Sequence, residues 1–162
     1  MRGATAEKDL KQSQKEEWVI KAELEEAWNI VLESYEESLA DFINPISKKT
    51  YEIKRDPVLG ISGNFLIELL ASWSDYRFEK GWIYRYKELD YLVYYNDSTI
   101  YLFDFKKLRQ YFWFNRHKVG KDWVTVWGVL NNSECVVVLL PVREVQQFLV
   151  KKIGRIKDEE VH

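Results

Sequence analysis

Apolar positions return at helical intervals between Lys15 and Glu37. Trp18, Ala22, Glu25, Trp28 or Asn29, and Leu32 follow that spacing, while Ile20, Leu24, Ala27 and Val31 widen one apolar face opposite Glu and Lys. This predicts a long amphipathic helix, after a polar and flexible lead-in over residues 1–14. The period then shortens to two, which predicts strands near 39–44, 50–56 and 64–71, with turns at Gly60 and at Ser62-Gly63-Asn64. Residues 72–87 read as an irregular segment carrying Trp73, Trp82, Tyr84 and Tyr86, in which Gly81 makes a turn. Strands over 90–96 and 99–103 flank Asn96-Asp97-Ser98, and Asp104 caps a helix that runs to about Phe114. A hairpin follows, Trp123–Gly128 and Glu134–Leu140 around Asn131-Asn132-Ser133. Pro141 opens a last helix to about Ile153, and 157–162 form a flexible tail.

The strand over 50–56 carries the chemistry. Side chains two apart share a face, so Glu52, Lys54 and Asp56 point one way and Tyr51 and Ile53 the other. Asp41 stands eleven residues before Glu52, and the turn-like Asn44-Pro45-Ile46-Ser47-Lys48-Lys49 between them predicts a hairpin that brings the two acids together. A hard divalent cation takes carboxylate oxygens, and a neighbouring ammonium orients water and balances charge at a phosphate. Glu68, on the following strand, is a further carboxylate of the same neighbourhood. Asp90 opens a strand and reads as a structural turn residue.

An acid, a short hairpin and then acid-x-Lys is the core pattern of the PD-(D/E)XK nuclease superfamily, and the chain resembles it through Asp41 and Glu52-Ile53-Lys54. The run Tyr51-Glu52-Ile53-Lys54-Arg55-Asp56, then Ser62-Gly63-Asn64-Phe65-Leu66-Ile67-Glu68, Gly81-Trp82-Ile83 and Leu89-Asp90-Tyr91-Leu92-Val93-Tyr94 is similar to small phage and prophage members. A second register, Asp56 then Glu68, puts Leu70 at the lysine position and leaves Lys80 or Lys87 to substitute. The resemblance implies a single α/β domain over 15–156 of restriction-endonuclease-like type. Its mixed central sheet is flanked by helices, with an additional C-terminal hairpin and helix. It implies Mg²⁺- or Mn²⁺-dependent hydrolysis of DNA, Holliday-junction-resolvase-like activity included. Asp41 and Glu52 would be metal ligands, Lys54 the water-orienting cation, and Asp56 and Glu68 supporting or additional ligands. A helix before the first catalytic strand can lend a Glu in this superfamily, and Glu33, Glu36 and Glu37 are its candidates here.

Composition narrows the alternatives. A chain of 162 residues, 46% of them hydrophobic, is long enough for one substantial core and short for two domains. One cysteine and two histidines exclude a disulfide within the chain, a zinc constellation and a Ser/His/Asp triad, and Cys135 reads as a buried structural thiol. With no apolar run near the ~20 residues of a membrane span and a charged N-terminus, the expectation is a soluble, cytoplasmic protein. Net charge is −2, unevenly spread: residues 1–41 hold 5 Lys/Arg and 11 Asp/Glu, and the remainder 19 and 15. The basic, aromatic stretch 106–118 offers Lys106, Lys107, Arg109, Arg116 and Lys118 to a DNA backbone. A solvated helix face accounts for the same charges, and a non-catalytic protein-interaction or nucleic-acid-binding module on the same fold is the rival reading. A homodimer is expected if both strands of a duplex are cut.

Overall fold

The computed structural model describes residues 2–35, 40–55, 63–72, 78–130 and 133–155. Helix α1 (Arg2–Trp28) is followed by the two-residue strands β1 (Glu33–Ser34) and β2 (Phe42–Ile43), and by β3 (Thr50–Arg55). A second group, β4 (Asn64–Ser72), β5 (Phe78–Lys80) and the one-turn helix α2 (Trp82–Arg85), separates β3 from β6 (Tyr91–Tyr95) and β7 (Thr99–Asp104). Helix α3 (Phe105–Phe114), the hairpin β8 (Val124–Leu130) and β9 (Ser133–Pro141), the short α4 (Val142–Val145) and β10 (Leu149–Gly154) complete the chain.

Two sheets result. The first has the order β1-β2-β3-β6-β7-β10, and the second β5-β4-β9-β8. In the first sheet β3 and β6 run parallel and every other neighbouring pair is antiparallel. The fold is therefore mixed α/β, with a sheet of parallel and antiparallel strands flanked by helices. Strand alternation assigns the two faces of this sheet. Tyr51, Ile53, Val93, Tyr95, Ile100 and Leu102 pack with Ile20 and Leu24 of α1. Leu92, Tyr94 and Phe103 look the other way, into a core shared with Phe65 and Ile67 of β4, Val138 and Leu140 of β9, and the buried faces of α2 and α3. Asp104 caps α3 by accepting from Lys107 N, and Cys135 is buried and outside any disulfide. Among the described residues no helix is long and apolar enough to cross a membrane.

Three expectations are corrected. The first helix begins at Arg2 and ends at Trp28, not near Glu37, because Asn29 takes the left-handed conformation (φ 52°) that closes a helix. Leu32 had extended the helical pattern because it reaches the same core from beyond that turn. Strand β4 does not continue the sheet of β3; it pairs with β5 and β9 in the second sheet. The last helix shrinks to one turn and a 3-10 turn, and Leu149–Gly154 becomes a strand on β7. Pairing with the otherwise open edge of β7 outweighs local helix preference there. The tail and the turn residues Gly60 and Ser62 lie outside the described residues.

Candidate functional site

The site forms where β2 begins. Its hairpin closes as the sequence suggests: Asn44 Oδ1 accepts from Ile46 N at 2.9 Å and Ser47 N at 3.2 Å, and Lys48 turns through φ 63°. The register pairs Phe42 with Tyr51 and Ile43 with Thr50, which brings Asp41 opposite Glu52. Beyond that pair no strand continues among the described residues. The Asp41 carboxylate takes its place, accepting from the backbone N–H of Ile53 at 2.8 Å. From the other side Asp90 fixes the parallel β3–β6 register, accepting from Thr50 N at 3.0 Å and from Thr50 Oγ1 at 3.2 Å. Lys49 and Lys106 neutralise it, so its role is structural, as the sequence suggested.

Around this edge gather Glu52 and Lys54 of β3, Glu68 of β4, Arg85 and Tyr86 at the end of α2, and Glu17 of α1. Lys54 Nζ lies 3.2 Å from Glu52 Oε1, and Tyr86 Oη donates to the same oxygen at 3.0 Å. The Glu52 side chain is 5% exposed and that of Lys54 32%, so the carboxylate is the more deeply buried of the pair. Arg85 reaches toward Glu68 at 3.8 Å, too far for a hydrogen bond. Among the described residues three buried atoms lack a hydrogen-bond partner: Glu52 Oε2, Glu68 Oε1 and Arg85 Nε. Asp41 and Glu52 bear on each other's protonation: ionised Asp41 favours a protonated Glu52, and a protonated Glu52 favours ionised Asp41.

α1 is tied down beside them. Glu16 accepts from Tyr95 Oη at 2.7 Å and pairs with Arg55 at 3.6 Å, and the Trp18 ring meets Phe42 edge-on at 5.6 Å. Glu17, between these anchors, feels both Asp41 and Lys54. Sequence reasoning put the helix acid elsewhere. Glu33 instead lies in β1, and Glu36 and Glu37 lie outside the described residues. A signal for Glu17 did exist: it shares the 17, 20, 24 row with Ile20 and Leu24, both fully buried. An acid on an apolar stripe needs a reason.

The electrostatics follow from crowding carboxylates around one ammonium. Burial, then Asp41, pushes Glu17 up to about 7. Burial pushes Glu52 up to about 8, with Asp41 adding to it against the pull of Lys54. Asp41 is also raised, by burial. For Lys54 burial works downward, but Glu52, Tyr86, Glu68 and Asp41 outweigh it and hold the group charged. The removable protons therefore sit on the carboxylates.

No family model, curated protein or solved structure matches the chain. Of the residues that the sequence nominated, Asp41, Glu52, Lys54 and Glu68 come together, and Asp56 lies outside the described residues. The basic residues do not converge on the site. Lys106 pairs with Asp90 at 3.2 Å, Lys107 sits 4.0 Å from Asp104, and Arg109 Nε donates to Ile83 O at 2.9 Å. Arg116 stacks on Trp113 at 4.3 Å, and Lys118 pairs with Glu144 at 3.5 Å. Sequence reasoning missed Arg85 and Tyr86, whose one-turn helix carries no periodicity to read.

A stability profile tests the raised carboxyls. With native values near 7 and 8 against ordinary values of 4.5, Glu17 and Glu52 hold more protons folded than unfolded. Their contribution is fully present below the unfolded value and is lost as pH rises through the folded one. Asp90, Glu144 and Glu25, all held low, act in the opposite sense at acid pH. In chelator, Tm is expected to fall from about pH 5 to about pH 8.5. A profile that stays flat or rises over that window would contradict the burial of Glu17 and Glu52.

Proposed function

We propose that the protein is a metal-dependent deoxyribonuclease of the PD-(D/E)XK type, on a restriction-endonuclease-like core of α1, β2, β3 and β6. The observation that carries this reading is the convergence of Asp41, Glu52 and Lys54 with a helix acid, Glu17, at one open sheet edge. Alternating surface charge on a strand does not bury its carboxylate or leave that oxygen without a donor.

The donor set suits Mg²⁺ or Mn²⁺. Glu52 Oε2 and Glu68 Oε1 are hard oxygens, buried and without a hydrogen-bond donor among the described residues, and each costs about 1–3 kcal/mol in that state. Among the described residues no three His, Cys, Asp or Glu groups are drawn close enough to hold an ion as they stand. Mg²⁺ does not require that, because it keeps several waters and takes one or two carboxylates together with substrate phosphate. Asp41 and Glu52 would hold it, with Glu17 and Glu68 alongside. Bound there, such an ion would lower the pKa of a water and polarise a phosphoryl oxygen.

Lys54 has a narrower role than a general base. Held charged, it cannot accept a proton; it donates to the attacking water or a phosphoryl oxygen and offsets the charge that develops there. Tyr86 and Glu52 fix its direction. The test is cleavage of plasmid, single-stranded and branched DNA with Mg²⁺ or Mn²⁺. Cutting is expected to disappear in chelator and to fall by a factor of about a thousand or more in Lys54→Ala, in line with loss of an electrostatic stabiliser. Cutting that survives Lys54→Ala would remove this assignment.

A second reading, a non-catalytic interaction module, is favoured by one feature. β8 is an edge strand on which Val124, Val126 and Trp127 are all exposed, and its sequence Val-Thr-Val-Trp-Gly-Val-Leu contains neither charge nor proline. Metal-dependent cutting abolished by Lys54→Ala would set this reading aside as the main function.

A further inference from the structure

The end of α3 presents aromatic surface where a helix normally turns polar. Trp113 is 47% exposed and Phe114 71%, while the apolar face of the same helix is already filled by Phe105, Leu108 and Phe112. These two rings are therefore not needed by the core. The Arg116 guanidinium lies 4.3 Å from the Trp113 ring centroid and donates to Trp113 O at 2.9 Å, which fixes one of its flat faces against the indole. The residue itself is exposed, and Phe114 stands open beside it.

Two further observations say what this surface suits. Lys106, Lys107 and Lys118 already face Asp90, Asp104 and Glu144, and Arg116 and Lys121 are the cations of this end of the helix that remain to favour an anionic partner. The surface is also linked to the site through α2. Trp113 contacts the Tyr84 ring at 6.5 Å, Tyr84 belongs to α2, and α2 leads directly into the Arg85 and Tyr86 that reach Glu68 and Glu52. Arg109 holds α2 to α3 through Ile83 O. This four-residue helix, about 6 Å long, is therefore the element that joins the platform to the site.

We infer that Trp113, Phe114 and Arg116 form a stacking platform for unpaired bases of a strand whose phosphodiester lies at Lys54. The preferred substrate of the proposed nuclease is then DNA with a single-stranded segment beside the cut, such as a flap or branch. Bases in a closed duplex cannot stack on a side-chain platform, whereas unpaired ones do so regardless of sequence. The phosphates of the same strand meet Arg116 and Lys121. This inference rests on the nuclease reading for the site, but the platform is tested without catalysis.

The experiment is fluorescence anisotropy in chelator with labelled oligothymidylate of about 20 nucleotides and a hairpin duplex of similar length. Wild type is expected to prefer the single strand. Phe114→Ala and Arg116→Ala, both surface changes, are each expected to weaken that binding about fivefold or more and to change duplex binding much less. The double variant Trp113→Ala/Phe114→Ala is expected to remove the preference. Equal losses on both probes, no loss, or no binding of either probe would overturn the platform. Cleavage is scored separately: single-strand preference without any cutting sinks the nuclease alone, and cutting of plain duplex by the platform variants at wild-type rate with no change in binding sinks the platform alone.

Discussion

Glu52→Gln is expected to abolish metal-dependent cutting and, at alkaline pH without metal, to make the protein more stable. The side chain is buried beside Lys54 with one oxygen lacking a donor among the described residues, and burial raises its pKa to about 8. At pH 9 it is a carboxylate held where a neutral group is preferred. Glutamine keeps the shape and the bond from Tyr86 while removing the charge. The gain at pH 9 is on the order of a few kcal/mol, since each tenfold change in proton affinity between the folded and unfolded chain is worth about 1.4 kcal/mol. At pH 5 the wild-type group is protonated, and the two proteins are expected to melt alike. Lys54 does not reverse the sign, because it stays partly exposed and keeps Asp41 and Glu68 as neighbours. Adding Mg²⁺ or Mn²⁺ at pH 8 is expected to raise the Tm of wild type and leave Glu52→Gln nearly unchanged. A variant that melts below wild type at pH 9 would show that Glu52 is there to hold the fold together.

Such a residue is a strain that folding does not require, and local rules tend to be broken where function needs it. The same contrast explains what was legible in the sequence. Glu52 and Lys54 could be placed on one face from period alone, and Asp41 beside them from the Asn44 turn, because all three depend on neighbours close in the chain. Asp104 and α3, the β6–β7 pair and the β8–β9 hairpin were readable for the same reason. Glu17 was not, since its meeting with Asp41 depends on how α1 is laid across the sheet by Tyr95 and Arg55. Nor were the second sheet and β10, where long-range pairing decided which edge each strand joined. Exposed Phe114 was visible only as one aromatic among many.

Gly81→Ala is expected to be the most damaging change among the described glycines. Strand β4 carries a bulge: Glu68 pairs with Val137 and Leu70 with Val136, so Leu69 has no place in the ladder. Its carbonyl is satisfied instead by Gly81 N at 2.7 Å, which draws the start of α2 onto the strand. A Cβ at Gly81 would lie 2.0 Å from Glu68 O and 2.4 Å from Glu68 C. Both are backbone atoms, so no rotamer change relieves the overlap and the helix must lift away. Trp82 and Ile83 would leave the core with it, and Arg85 and Tyr86 would lose Glu68 and Glu52. The cost is expected to be roughly 3 kcal/mol or more, at the upper end for overpacking, with Tm lower by about 10 °C. Two other glycines calibrate the result. Gly120 has open space but φ +76°, and its replacement is expected to cost about 1 kcal/mol. Gly154, with open space and no positive φ, is expected to tolerate alanine within about 0.5 kcal/mol. Denaturant unfolding of the three variants measures the order directly. If Gly81→Ala matches Gly154→Ala, then α2 is not seated against the bulge, and Tyr86 loses the anchor that aims it at Glu52.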